Sequence, residues 1–251
     1  MRASAIEFRL RMLINLIIIV LGFWAPWAAT WGPSVEFVPR IALLQWLAIE
    51  LSRTGAMSFL TATQAVIVCG ALIAAVGAVL RVWGTAYLGT RTVLGLEMKA
   101  GAVMADGPYR YLRNPLYAGF WFMTLALAFL MPPTGALVCM ILITIFGARL
   151  ILGEEAFLAA KLGDPYLAYR HAVPRLFPRL RGAPAAAGSK PQWLRSFFAE
   201  LTPVGVFVAL AFFSWSYDNR LMGRVVLIAF GASLVARAFM LGPPKEQPAA
   251  E

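Results

Sequence analysis

Two stretches decide how this chain is read: GAVMADGPYRYLRNPLYAGF at residues 101–120 and GEEAFLAAKLGDPYLAYRHAVPRLFP at residues 153–178. Between them runs an apolar segment interrupted at Pro132 and Pro133 and charged only at Arg149. If that segment crosses a membrane and returns, both polar blocks arrive on the same side. Residues far apart in the chain can then line one site.

The rest of the chain makes the crossing reasonable. Of 251 residues, 61% are hydrophobic and 14% charged, and the mean hydropathy is +0.74. A soluble domain of this length has no core large enough for so much apolar side chain, so the composition implies an integral membrane protein. The expected fold is all-α, a polytopic bundle of transmembrane helices. Apolar runs at residues 12–30, 62–80, 116–131, 134–148, 201–217 and 221–236 predict six spans, the shorter ones extended by snorkelling arginines such as Arg149.

Charge sets the expected orientation. With both termini on one side, that side collects 18 of the 22 Lys and Arg residues and leaves Arg40, Arg53, Arg220 and Arg224 opposite. The positive-inside rule makes the richer side cytoplasmic, pointing to a bacterial inner membrane with the polar blocks facing the cytoplasm. The net charge of +10 is therefore a topology signal and gives no support to nucleic acid binding. Cys69 and Cys139 lie in apolar runs and read as small packing residues, with no disulfide or metal framework.

Three parts are expected: a four-span unit at residues 1–180 with its motif core at 80–178, a linker at 181–196 that begins RGAPAAAGSK, and a two-span appendix and tail at 197–251. The appendix shows no constellation of chemistry. Residues 32–55 suggest a short interfacial helix carrying Ile41, Leu44, Trp46, Leu47 and Leu51. Gly70 and Gly77 in the second span suit close helix approach. No dinucleotide-binding turn, P-loop or internal repeat is present.

In the first block, Asn114 and Pro115 have the chemistry of a helix start, an N-cap followed by proline. The free first-turn amides near Leu116 and Tyr117 would form an anion site. In the second block, Glu154 and Glu155 close the fourth span, where the helix dipole disfavours carboxylates, so cations should answer them. Arg149, Lys161 and Arg170 are near enough in sequence. His171, the only histidine, reads as a surface residue.

The two blocks, together with RVWGTAYLG at residues 81–89, resemble the isoprenylcysteine carboxyl methyltransferase and phospholipid methyltransferase superfamily of membrane enzymes. The resemblance implies methyl transfer from S-adenosylmethionine to a lipid or lipid-like acceptor reaching the site sideways from the bilayer. It places cofactor contacts on Gly101, Ala102, Val103, Met104, Tyr109, Asn114, Pro115, Leu116, Tyr117 and Glu154. Two positions depart from the family pattern: Asn114 stands where the family usually has His, and Leu150 where it usually has a substrate-binding Arg, with Arg149 one residue off.

An activated sulfonium donor needs alignment and dryness rather than an enzyme nucleophile. Arg149 or Arg113 would hold a carboxylate acceptor, and Glu155 would serve as base for an amine acceptor. Carboxyl methylation of an isoprenylcysteine-like compound and N-methylation of an ethanolamine phospholipid both remain open. The rival class is a transporter or scaffold, which would place ionisable groups at mid-membrane or repeat its architecture.

Overall fold

The computed structural model describes residues 2–24, 41–95, 103–179 and 187–240, and every regular element among them is helical. The N-terminal half holds α1 (Ala5–Arg9), α2 (Arg11–Trp24), α3 (Leu43–Arg53), α4 (Phe59–Leu88) and α5 (Thr90–Leu94). A single 3-10 turn at Gly107–Arg110 leads to α6 (Pro115–Ala128), α7 (Pro133–Leu162) and α8 (Asp164–Ala172). The chain ends in α9 (Trp193–Ala199), α10 (Leu201–Ser216) and α11 (Asn219–Met240).

Local chemistry sets these boundaries. Ser4 and Glu7 form a reciprocal capping box on α1, and the Ser58 hydroxyl caps α4 by accepting from the Thr61 N–H. Pro133 is the first residue of α7, where a missing N–H costs nothing. Gly163, at φ +60°, separates α7 from α8 in a conformation other residues rarely adopt.

Apolar helices occupy the six positions where spans were expected. Three of them, α4, α7 and Arg220–Met240, are long and apolar enough to cross a membrane, and α9 with α10 makes a fourth if that pair, bent by 72°, is one span. The remaining two, α2 and α6, have 14 residues each. At about 1.5 Å per residue such a helix covers roughly two thirds of a hydrocarbon core about 30 Å thick. The part of the first expected span beyond Trp24 lies outside the described residues.

Apolar side chains such as Leu72, Val76, Val79, Leu137, Ile141 and Ile145 point outward at helical spacing. Lipid tails solvate these side chains as well as a protein core would, so close packing rather than apolar burial must join the helices. The backbones of α4 and α6 cross closely: a Cβ on Gly77 would sit 2.8 Å from the Gly119 carbonyl and a Cβ on Gly119 2.8 Å from that of Gly77. Gly70, the other glycine expected to allow close approach, would meet only Phe129 at 3.8 Å, an ordinary contact. Gly77→Val should therefore force the two helices apart and destabilise the protein by about 1–3 kcal/mol. Gly70→Ala should be close to neutral, and thermal unfolding of both variants in detergent checks the contrast.

Three packed clusters hold the bundle, one of them joining Leu44 of α3 to Val66 and Ile67 of α4 and Phe213 of α10. The other two reach the motif helices. Ile18 of α2 meets Met131, Cys139, Ile143 and Leu150 in one; Ala71 and Ala74 of α4 meet Met123, Ala126, Val206 and Leu210 in the other, placing α10 against the α4–α6 pair. The expected helix near residues 41–51 is α3. Its first amides donate to the turn between α6 and α7, Leu43 N–H to the Met131 carbonyl at 2.7 Å and Leu44 N–H to that of Phe129 at 2.8 Å. That turn is the end of the α6–α7 hairpin remote from Asn114 and Glu155.

Candidate active site

The start of α6 and the second half of α7 come together. Arg113 donates through Nε to Glu155 Oε1 at 3.1 Å, and the Asn114 carboxamide donates to the same oxygen at 3.3 Å. Arg175, in the segment after α8, donates to Glu155 Oε2 at 2.8 Å. The two polar blocks thus meet at one end of the bundle, as the hairpin reading requires. Glu155 is their shared node, with only 6% of its side chain exposed.

Arg113 extends the node along the backbone, donating to the Val173 carbonyl at 2.8 Å and to that of Arg170. Its own N–H donates to the Pro174 carbonyl at 2.9 Å. Segment 170–175 is thereby fastened over the entrance to α6.

Adjacent residues on a helix point about 100° apart, and Glu154 accordingly faces a different space. It lines a cavity of about 720 Å³ between α2, α4, α6, α7 and α8, a volume in the range of small-molecule sites. The Tyr117 hydroxyl donates to Glu154 Oε2 at 2.9 Å. Among the described residues no guanidinium or ammonium lies within ion-pair distance of Glu154.

The cavity is also lined by Tyr109, whose buried hydroxyl has no hydrogen-bond partner among the described residues. Burial, then the Glu154 charge, raises its pKa well above the usual tyrosine value, so it remains a protonated donor. Asn114 occupies the N-cap position of α6 without capping through its side chain, because its carboxamide is turned to Glu155 and to the Arg175 carbonyl at 3.2 Å. The Ala118 N–H is satisfied by the Asn114 carbonyl, while the amides of Leu116 and Tyr117 precede the first intrahelical bond. Both residues line the cavity.

Residues 65–164 match the family model described as phospholipid methyltransferase. The match is to the same superfamily of membrane methyltransferases that the two motif blocks resemble. No curated protein and no solved structure matches the chain.

Within this methyltransferase segment and its flanks, Val103, Met104, Tyr109, Asn114, Pro115, Leu116, Tyr117 and Glu154 all line the one cavity. Gly101 and Ala102 lie outside the described residues. Arg113 and Glu155 line it too, whereas Arg149 is turned away, its guanidinium held by Glu7 of α1 at 2.8 and 3.0 Å. Leu150, at the family's usual arginine position, is buried and contributes an apolar wall.

The carboxylate pair differs from its sequence reading in two respects. α7 continues to Leu162, so Glu154 and Glu155 lie two turns inside the helix rather than at its end, and the dipole penalty expected there falls away. The cations answering Glu155 are Arg113 and Arg175 instead of Arg149, Lys161 and Arg170. The reason is tertiary: α8 turns back at Gly163 and returns the chain to α6.

Besides Tyr166 and Tyr169 of α8, residues on both sides of the matched segment contribute. Phe8, Arg11, Met12 and Asn15 of the N-terminal helices close one side of the cavity. Glu200, at the elbow between α9 and α10, is 1% exposed and accepts from Arg81 Nε at 2.6 Å, from Arg81 Nη2 at 2.8 Å and from the Thr85 hydroxyl at 2.7 Å. Arg81 itself lines the cavity. A lone acidic residue opening an apolar run, as Glu200 does, was the available signal for this link.

Asp106 makes a second tie to the C-terminal part. Its carboxylate accepts from the amides of Ala187 at 2.6 Å, Gly188 at 3.3 Å and Ser189 at 2.8 Å. Next to it, Gly107 adopts φ +55° where a Cβ would overlap the Tyr87 ring. The hydroxyl and amide of Ser189, with the Ala187 and Gly188 amides, hold Asp106 below the usual carboxylate range despite its burial. A depressed folded-state pKa gives stability that is present above about pH 4, the unfolded value, and is lost as pH falls through the folded value. Between about pH 5 and 3 the wild type should therefore lose more thermal stability than Asp106→Asn, which starts lower; parallel curves would show that the clamp carries no charge-dependent stability.

Proposed function

We propose that the protein is an S-adenosylmethionine-dependent methyltransferase whose acceptor is a membrane lipid or lipid-like amphiphile. The observation that carries this reading is that eight residues assigned to donor contacts by resemblance, Glu154 among them, line one cavity. The residues present fit the donor. The first-turn amides of α6, which precede its first intrahelical bond, suit its carboxylate; the Tyr109 hydroxyl, without a partner among the described residues, offers a hydrogen bond; and Glu154, with no ion-pair cation among the described residues, suits a sulfonium or ribose.

When bound, S-adenosylmethionine supplies an activated methyl group on sulfur, which departs as a neutral thioether. The chain's part is to hold and to exclude. Tyr117 orients the Glu154 carboxylate. Arg113 and Arg175, through Glu155, fasten the 170–175 segment beside the α6 start. Phe8, Met12, Phe120 and Leu150 give the cavity an apolar wall suited to a hydrocarbon chain and to exclusion of water.

In this arrangement Glu155 is an anchor rather than the base, since two guanidinium groups and an amide occupy it. Arg149 contributes to fastening α1. The 1–180 unit and the C-terminal helices work as one site, joined through Glu200, while Asp106 clamps the 181–196 linker. The positive-inside count supports a cytoplasmic location for the cavity and both termini, as in a bacterial inner-membrane protein.

The family description favours an amine-bearing phospholipid as acceptor, while the wider superfamily keeps a prenylated carboxylate as the second reading. Incubation of the protein with methyl-labelled S-adenosylmethionine and host membranes tests both. Base-stable label in a phospholipid supports the first reading, and label released as methanol by base supports the second. Absence of protein-dependent labelling of any lipid contradicts the proposed function.

A further inference from the structure

The charged groups of the cavity wall are unequal. Arg81 is matched by Glu200 and Arg113 by Glu155. Arg11 is held differently: it donates through Nη1 to the Phe8 carbonyl at 2.9 Å and through Nη2 to those of Val93 at 3.3 Å and Gly95 at 2.7 Å. Its guanidinium also lies 4.2 Å from the centre of the Phe8 ring. Carbonyls and a ring orient a guanidinium without cancelling its charge. Of its five N–H donors, Nε–H and one on Nη1 have no acceptor among the described residues.

Asn15 lies four residues further along α2, on the same face, and lines the same cavity. Its carboxamide makes no hydrogen bond among the described residues, and it sits within the apolar run MLINLIIIVLG. A polar group in such a helix that faces a cavity rather than lipid marks a place where a polar partner is expected. Arg11 and Glu154 line the same cavity.

Resting on the proposed methyl transfer, we propose that Arg11 and Asn15 form the subsite for an anionic oxygen group of the acceptor. The donor's own carboxylate has the first-turn amides of α6, which leaves Arg11 for a second anion. The adjoining Met12, Phe120 and Leu150 give the acceptor's hydrocarbon chain an apolar path. Either a phosphodiester beside a methylated amine or a carboxylate that is itself methylated would supply the anion; the shared chemistry is an anionic head on an alkyl chain. Neither Arg11 nor Asn15 belongs to the segment that matches the family model.

The test is a calorimetric titration of the purified protein, in a neutral maltoside detergent, with dodecyl phosphate, N-dodecanoylglycine and dodecanol. S-adenosylmethionine is titrated separately. The wild type should bind one of the anionic amphiphiles at least about tenfold more tightly than dodecanol. Preference for the phosphate supports a phosphodiester lipid, and preference for the carboxylate a carboxyl acceptor. Arg11→Met and Asn15→Leu should each weaken that binding by about ten- to a hundredfold, with donor affinity unchanged.

Arg11→Lys, which keeps the charge, should recover part of the loss. Should Arg11→Met fail to fold because its ties to Val93 and Gly95 are cut, Asn15→Leu, which breaks no hydrogen bond, decides. Equal binding of dodecanol and both anions overturns the subsite, as does unaltered anion binding in the folded variants. Weakened donor binding in Arg11→Met with intact anion binding would move Arg11 to the donor and overturn it too. Failure of the wild type to bind S-adenosylmethionine would instead count against the proposed function.

Discussion

Glu200→Ala is expected to destabilise the protein by about 3–5 kcal/mol, because it leaves Arg81 as an uncompensated charge within the packed bundle. The carboxylate is 1% exposed and the guanidinium 14%, so water cannot take over the lost partner. Thermal unfolding in detergent measures the loss. Removing both charges should cost much less: Arg81→Met with Glu200→Leu is expected to recover a large part of the stability, since a desolvated pair contributes little net attraction. A single-variant loss below about 1 kcal/mol would be the behaviour of a solvated surface pair and would contradict this packing.

The second large effect is expected at Glu155. Glu155→Gln keeps the shape but leaves Arg113 and Arg175 facing a neutral amide, in a place where only 8% of Arg113 is exposed. A loss of about 3 kcal/mol or more follows from breaking one side of a buried network. Release of segment 170–175 should also displace Asn114 and the first turn of α6, so donor binding is expected to weaken together with stability. A general base would behave otherwise: its glutamine variant would stay folded, bind donor normally and lose turnover alone. Calorimetry and thermal unfolding of the same preparation separate the two.

The helical, membrane-bound character of the chain was legible because it depends on composition and on long apolar runs. The meeting of the polar blocks was legible too, since a hairpin turning at Pro132 and Pro133 has few ways to place its ends. The partner of Glu155 was not. Local spacing favoured Arg149, but the helical turn sends that side chain to Glu7, while Arg175 returns only because Gly163 reverses the chain between α7 and α8. Pairings set by tertiary folding leave no local pattern.

The same limit applies to the ends of the chain. Arg11 and Asn15 look like the polar margin of a first span, and Glu200 like the margin of a fifth. Each acquires its meaning from helices far away in sequence. Asn114 illustrates a subtler case: its position at the start of α6 was read correctly, yet its carboxamide serves Glu155 and the Arg175 carbonyl instead of the helix it begins.

The most direct test of the account is the affinity of S-adenosylmethionine for the wild type and for Glu154→Gln, measured by calorimetry on folded protein. Glu154 lies on the cavity wall, bonded among the described residues only to the Tyr117 hydroxyl. Its substitution removes one charged hydrogen bond to the donor, worth about 1.5–3 kcal/mol, and leaves the Glu155 node intact. The account predicts micromolar-to-millimolar binding by the wild type and about ten- to a hundredfold weaker binding by Glu154→Gln at similar thermal stability. Wild-type binding that Glu154→Gln leaves unchanged, or no binding by either, would contradict it.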